Sequence, residues 1–179
     1  MKKGDNDSRG FTIIEVALVL AIAGLIFLMV FVALPGLRAS QRDTSRREDM
    51  MSLIDSIKRY QQNNRGTLPR DTGDVVGGQI SSDAKSNTWA GFYREYLGDD
   101  FIDPDGEPYN LKVSVCAGSG LESDCEVDYS GDTSFPNGYN IAIVIQATCK
   151  GETAVKSSNP RKFAVIYKLE GAGTYCSNT

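Results

Sequence analysis

Two kinds of residue in this chain invite chemistry: widely spaced cysteines, and carboxylates placed where a charge is costly or crowded. Cys116, Cys125, Cys149 and Cys176 all lie in the C-terminal third, and none forms a CxxC pair. An even number at wide spacing in a polar, loop-rich region reads as disulfides made in an oxidising compartment. Four cysteines allow three pairings. Cys116 and Cys125 bracket the flexible "AGSGLESD", whereas Cys149 ends one strand and Cys176 follows the next. The pairing Cys116 with Cys125 and Cys149 with Cys176 is favoured on that ground. Two acidic groups stand out, Asp99, Asp100, Asp103, Asp105 and Glu107, then Asp124, Glu126, Asp128 and Asp132. Oxygen-rich loops can hold calcium, but neither group has EF-hand spacing. They are read as solvated acidic loops; no metal and no cofactor is expected. Histidine is absent, which removes Ser-His-Asp and Cys-His catalysis and every His-ligated metal site. With no nucleophile motif and no phosphate loop, no enzyme is expected. The net charge of −4 offers no basic field for wrapping nucleic acid.

One carboxylate is set apart. Glu15 stands in "RGFTIIEVALVL", at the entrance of an apolar run. From Val16 to Leu37 there is no charge. As a helix that stretch measures about 33 Å, against a hydrocarbon core of about 30 Å. One segment can therefore span a bilayer. A cleavable secretory signal would have a shorter apolar stretch, and "ALPGLRAS" is a poor cleavage site. An ionisable residue inside such a span is rare and by default points to function.

The junction of the polar leader "MKKGDNDSRG" with "FTIIE" and the apolar run resembles the class III signal of type IV pilins and pseudopilins. The resemblance implies that a prepilin peptidase cuts between Gly10 and Phe11 on the cytoplasmic side. The new N-terminus at Phe11 is then methylated, and the apolar helix stays on the mature chain. It also implies a role for Glu15. An isolated carboxylate at the centre of a membrane helix costs about 2.5 to 3.5 kcal/mol. A neighbouring subunit's Phe11 ammonium would offset that cost, so Glu15 would set register and recruit subunits into the polymer. Gly24 and Pro35 stand where the family's helix can lose its bonds and stretch in the filament, Pro35 about three residues later than usual. The turn Asp103, Pro104, Gly106, Pro108 and Tyr109 resembles the "DP-x-G-x-P-Y" turn of major pseudopilins. Arg38, Arg42, Arg46 and Arg47 follow the span, so charge bias alone does not place the leader inside. The outward orientation of the remainder rests on the resemblance and the cysteines.

These residues need a long helix to carry them. No Gly or Pro interrupts the sequence between Leu37 and Asn64. Residues 38 to 49 have no large apolar side chain and are expected to be solvated or packed through polar contacts. Met50, Leu53, Ile54, Ile57 and Tyr60 then recur at helical spacing and form one apolar face. Gly66 and Pro69 end it. A continuous helix from Phe11 to Asn64 would measure about 80 Å. Trp89, Phe92, Tyr93, Tyr96 and Leu97 predict a second, short helix capped by Asn87 or Thr88 and ended by Gly98, its aromatic stripe read as core. "FIDPDGEPYNLKVSV" reads as a turn followed by a strand alternating through Leu111, Val113 and Val115, and further strands are predicted within "GYNIAIVIQATCK" and "RKFAVIYKLEG", joined by a polar "GETAVKSSNP" loop.

The fold class expected is α+β: a long N-terminal helix, membrane-spanning in its first half, packed against a small antiparallel sheet. The boundaries are a leader over 1–10, a membrane or filament-core helix over 11–37, its amphipathic second half over 38–66, and a disulfide-bonded head over 67–179. The function implied is a type IV pilin that polymerises into an extracellular filament for motility, adhesion or DNA uptake. The alternatives are a pseudopilin of a secretion or competence system, and a single-pass anchored binding protein. The partners implied are other subunits, prepilin peptidase and an inner-membrane assembly platform. The precursor would reside in the inner membrane and the mature subunit outside the cell.

Overall fold

The computed structural model of the chain describes residues 10–116, 120, 124–125, 140–170 and 173–178. The chain divides into two compact units, Met1–Ala39 and Ser40–Thr179. Helix α1, Ile13–Asn63, begins in the first and continues into the second.

In the first unit α1 is apolar and uncovered. Its large side chains from Ile13 to Leu37, among them Phe27, Met29 and Phe31, are exposed. A continuous apolar surface of this kind is not tolerated in water and needs hydrocarbon or neighbouring chains around it. The helix is long and apolar enough to cross a membrane. Pro35 sits inside it without ending it.

In the second unit α1 turns its Met50, Leu53, Ile54, Ile57 and Tyr60 face into the core. The sheet that receives it has five strands, β1 (Gly73–Val75), β2 (Asn110–Val115), β3 (Asn140–Ile145), β6 (Phe163–Lys168) and β7 (Thr174–Asn178), in the order β1-β2-β3-β6-β7. A hairpin of β4 (Ala147–Lys150) and β5 (Thr153–Lys156) forms a separate two-stranded sheet. Alternation sorts the side chains. Leu111, Val113, Ile141, Ile143, Phe163, Val165 and Tyr167 join the helical core. Ala142, Val144, Ala164 and Ile166 face a second cluster with Ala147 and Ala154 of the hairpin. The central strands are thus buried on both faces, with a helical layer on one side and the hairpin on the other.

Three expectations about the strands are corrected. The sheet is mixed rather than antiparallel, because β2 and β3 run parallel, Leu111 opposite Ile141 and Val113 opposite Ile143. A parallel pair needs a long connection, and the chain between Val115 and Asn140 supplies one. "GYNIAIVIQATCK" is two strands, broken where Gln146 adopts φ 61°; its N–H donates to Lys162 O and its carbonyl accepts from Ser157 N, each at 2.8 Å. The "GETAVKSSNP" segment is not wholly loop, since its Thr153–Lys156 pairs with β4 across the turn at Gly151 and Glu152. Strands β1 and β7 carry no clear sequence period and were not expected.

The aromatic segment folds as α2 (Trp89–Phe92) followed by a single π-helical turn, Tyr93–Leu97. Thr88 Oγ1 caps α2 by accepting from Gly91 N at 3.1 Å. Gly98, at φ 68°, closes the turn by donating to Tyr93 O at 2.9 Å. Trp89, Phe92 and Tyr93 are buried, so the stripe is core. Disulfides join Cys116 to Cys125 and Cys149 to Cys176, the second tying β4 to β7.

Candidate functional site

The first candidate is the start of α1. Gly10 and Phe11 precede the helix and are exposed, Phe11 by 90%. The peptide bond between them is open to a protease. Thr12, Ile13, Ile14 and Glu15 form a capping box, in which a Thr at the helix start and a Glu three residues on satisfy each other's backbone. Glu15 Oε2 accepts from both Thr12 N–H and Thr12 Oγ1–H at 2.9 Å. Thr12 Oγ1 in turn accepts from Glu15 N at 3.4 Å. Among the described residues Oε1 of Glu15 accepts no hydrogen bond and no cation pairs with the carboxylate. Chemically this is an acceptor held in place by its own helix start. Thr12 was missed by sequence reasoning, although the T-x-x-E spacing that signals it is legible.

Gly24 and Pro35 lie further along the exposed part of α1. A Cβ at Gly24 would meet nothing within 4 Å, so no packing demand explains the glycine. Proline lacks the N–H that would bond the carbonyl four residues back, here that of Phe31. Both therefore subtract backbone stability from a helix that keeps its form in this chain.

The second candidate is a charge cluster inside the second unit. Arg46 is wholly buried. Its Nε and Nη2 donate to the two carboxylate oxygens of Asp103 at 2.6 and 3.0 Å. Nη2 also donates to Asp105 Oδ2 at 2.9 Å and Nη1 to Glu170 Oε1 at 2.6 Å. Arg42 donates from Nε and Nη2 to Glu170 at 2.9 and 2.6 Å. Those bonds, with Arg42's first, hold the Glu170 carboxyl down to about 2. Asp43 Oδ1 accepts from Glu170 N at 3.0 Å, and Tyr109 donates its hydroxyl to Asp49 Oδ2 at 2.8 Å. Burial, with Asp49 beside it, pushes the Tyr109 hydroxyl far above its ordinary range.

The first acidic group, expected to be a solvated loop, is exposed at Asp99, Asp100, Asp105 and Glu107, and the expectation is corrected at Asp103. Asp103 is buried and clamped by Arg46; Asp103 N donates to Glu107 O at 2.8 Å, and Asp103 Oδ2 accepts from Asp105 N at 2.9 Å. Asp103 and Asp105 help neutralise a buried guanidinium, which accounts structurally for the two aspartates of "DPDGE". Of the second acidic group Asp124 is exposed, while Glu126, Asp128 and Asp132 lie outside the described residues. Among the described residues no group of three or more His, Cys, Asp or Glu is placed to hold a metal ion.

Residues 5–31 match a protein family described as the prokaryotic N-terminal methylation motif. This is the class III signal of type IV pilins and pseudopilins, and it takes in Gly10, Phe11, Glu15 and Gly24. No curated protein and no solved structure matches the chain.

Proposed function

We propose, from a chain that carries the class III signal of the type IV pilins and pseudopilins, that it is a type IV pilin. It is a structural subunit that polymerises through its N-terminal helix into an extracellular filament serving motility, adhesion or DNA uptake. The observation that carries this reading is Glu15. It stands four residues after the Phe11 that cleavage would expose, in an uncovered apolar helix, with one carboxylate oxygen that accepts no hydrogen bond among the described residues.

The mechanism follows from charge and solvation. Before assembly the apolar part of α1 lies in the inner membrane, and the capping box lessens the cost of Glu15 there. Prepilin peptidase cuts after Gly10, and the ammonium at Phe11 is a new cation at the level of the carboxylates of other copies. An ammonium and a carboxylate that meet in a medium of low dielectric attract far more strongly than in water. The pair fixes each subunit in register as the assembly platform lifts it out of the bilayer. The apolar helices then bury one another in the filament core. Gly24 and Pro35 allow the stretch between them to lengthen there.

The test is mass and N-terminal analysis of protein sheared from cells, for the native chain and Glu15→Ala. Filaments built of chains starting at a methylated Phe11, and lost with Glu15→Ala, are expected. A chain still starting at Met1 and remaining with the membrane would overturn the reading and favour an anchored binding protein. A pseudopilin is the second reading, favoured by the Asp103–Tyr109 turn; cleaved subunits that form only short periplasmic fibres would select it.

A further inference from the structure

The cations of the second unit are distributed unevenly. Arg42, Arg46 and Arg94 are matched to carboxylates. Lys58, Arg65, Arg161 and Lys162 instead share an open groove of about 720 Å³ that no carboxylate among the described residues lines. Among the described residues only Lys58 of the four forms an ion pair, with Asp55 at 3.5 Å, and both are well exposed, where such a pair is worth little. The groove is built from segments far apart in sequence. Gln61 Nε2 donates to Arg161 O at 2.9 Å and joins the end of α1 to the turn before β6. Gly66, at φ 78°, lets the Arg161 guanidinium lie across the helix end; a Cβ there would stand 3.3 Å from Nη1. Arg65 itself is held at φ 58°, in the left-handed region where glycine is the ordinary occupant. Like charges gathered in this way repel unless an anion comes between them.

The anions stand elsewhere on the same unit. The segment from Asp99 to Glu107 contains five acids and no base. Asp99, Asp100 and Glu107 are exposed, and among the described residues none of the three forms an ion pair. The clamp on Asp103 fixes this segment beside Arg46, whereas Gln61 fixes the groove at the other end of the same helical stretch. Fifteen residues of helix put the two levels about 22 Å apart. One copy cannot bring its own acidic turn to its own groove.

We infer that the groove of Lys58, Arg65, Arg161 and Lys162 receives the acidic turn 99–107 of a second copy of this chain. The contact is heterologous, since a different patch is used on each partner. Repeated from copy to copy without closure it gives an open chain of subunits. It deepens the filament reading and rests on it: the N-terminal helices drive association, and the groove and turn select which neighbour sits where. Charges at the rim of a contact act on encounter and specificity in this manner.

The full-length chain in cells provides the test. Sheared filaments are treated with a carbodiimide that joins a carboxylate directly to an amine, and the products are read by mass spectrometry. Links from Lys58 or Lys162 to Asp99, Asp100 or Glu107 are expected, between copies labelled with different isotopes. Arg161→Glu with Lys162→Glu should lower filament yield about tenfold, as should Asp100→Lys with Glu107→Lys. The four changes together should restore most of it, which a general folding defect would not allow. Native filaments without these links, or reversals that leave yield unchanged, would overturn the inference and leave the filament reading standing. A native chain that is never assembled would overturn both. Retention on single-stranded DNA that vanishes with Arg161→Glu and Lys162→Glu, at unchanged filament yield, would assign the groove to nucleic acid instead.

Discussion

At the scale of the residue, the proposed filament role would give the carboxylate of Glu15 two jobs through its two oxygens. Oε2 closes the capping box with Thr12, and Oε1, which accepts no hydrogen bond among the described residues, would meet the cation. The jobs separate on substitution. Thr12→Val removes the hydroxyl partner of Glu15 and weakens the helix start by about 1 kcal/mol. Cleavage at Gly10 should continue, while the sheared filament yield falls by less than with Glu15→Ala; quantitative blotting of the sheared and membrane fractions reads both. Glu15 is legible in sequence because a charge in an apolar run has few explanations. Arg46 is not legible. It sits in a polar stretch like any surface arginine, and its partners Asp103 and Glu170 lie 57 and 124 residues away. Only the fold reveals that its charge is buried.

At the scale of the element, α1 is the part that sequence reading captures best. Its apolar face, its length and its end follow from spacing and from Gly66. The sheet is captured less well, because a buried central strand lacks the alternation that marks a half-exposed one. The break at Gln146 has no glycine or proline to announce it. Two predictions belong here. Gly24→Ala adds about 1 kcal/mol of helix propensity at a position with open space around it. If the filament needs this stretch to lengthen, the variant should be inserted and cleaved normally but assembled poorly, as seen in the ratio of sheared to membrane-bound chain. Unchanged filaments would remove Gly24 from the mechanism. Arg46→Ala leaves Asp103 buried without its cation, a loss of about 3 to 5 kcal/mol. Denaturant melts of the full chain in detergent should show it, and Arg46→Leu with Asp103→Leu should recover much of it, because the fully buried pair is replaced by apolar side chains while the partly exposed Asp105 and Glu170 keep Arg42.

At the scale of the whole molecule, the charge cluster makes stability depend on acid. The Glu170 carboxyl is held down to about 2 by Arg42 and Arg46, whereas an unfolded glutamate titrates near about 4.3. A depressed value stabilises the fold above the unfolded value, and this contribution is lost as pH falls toward the folded one. Melting temperature in detergent should therefore decline between about pH 4.5 and 2, and Glu170→Gln should flatten part of that decline. A melt insensitive to pH in this window would show that the cluster contributes little.

The two disulfides also bear on how the molecule is made. Each joins a cysteine to the next one along the chain, Cys116 to Cys125 and then Cys149 to Cys176. A chain threaded through a membrane from its N-terminal side presents cysteines to the oxidising side in that order. Each first partner would meet its correct mate before any competitor emerges. Production would then require a dithiol oxidase but no isomerase to correct errors. Cells lacking the isomerase should yield the native pairs in full, and cells lacking the oxidase should accumulate reduced, protease-sensitive chains.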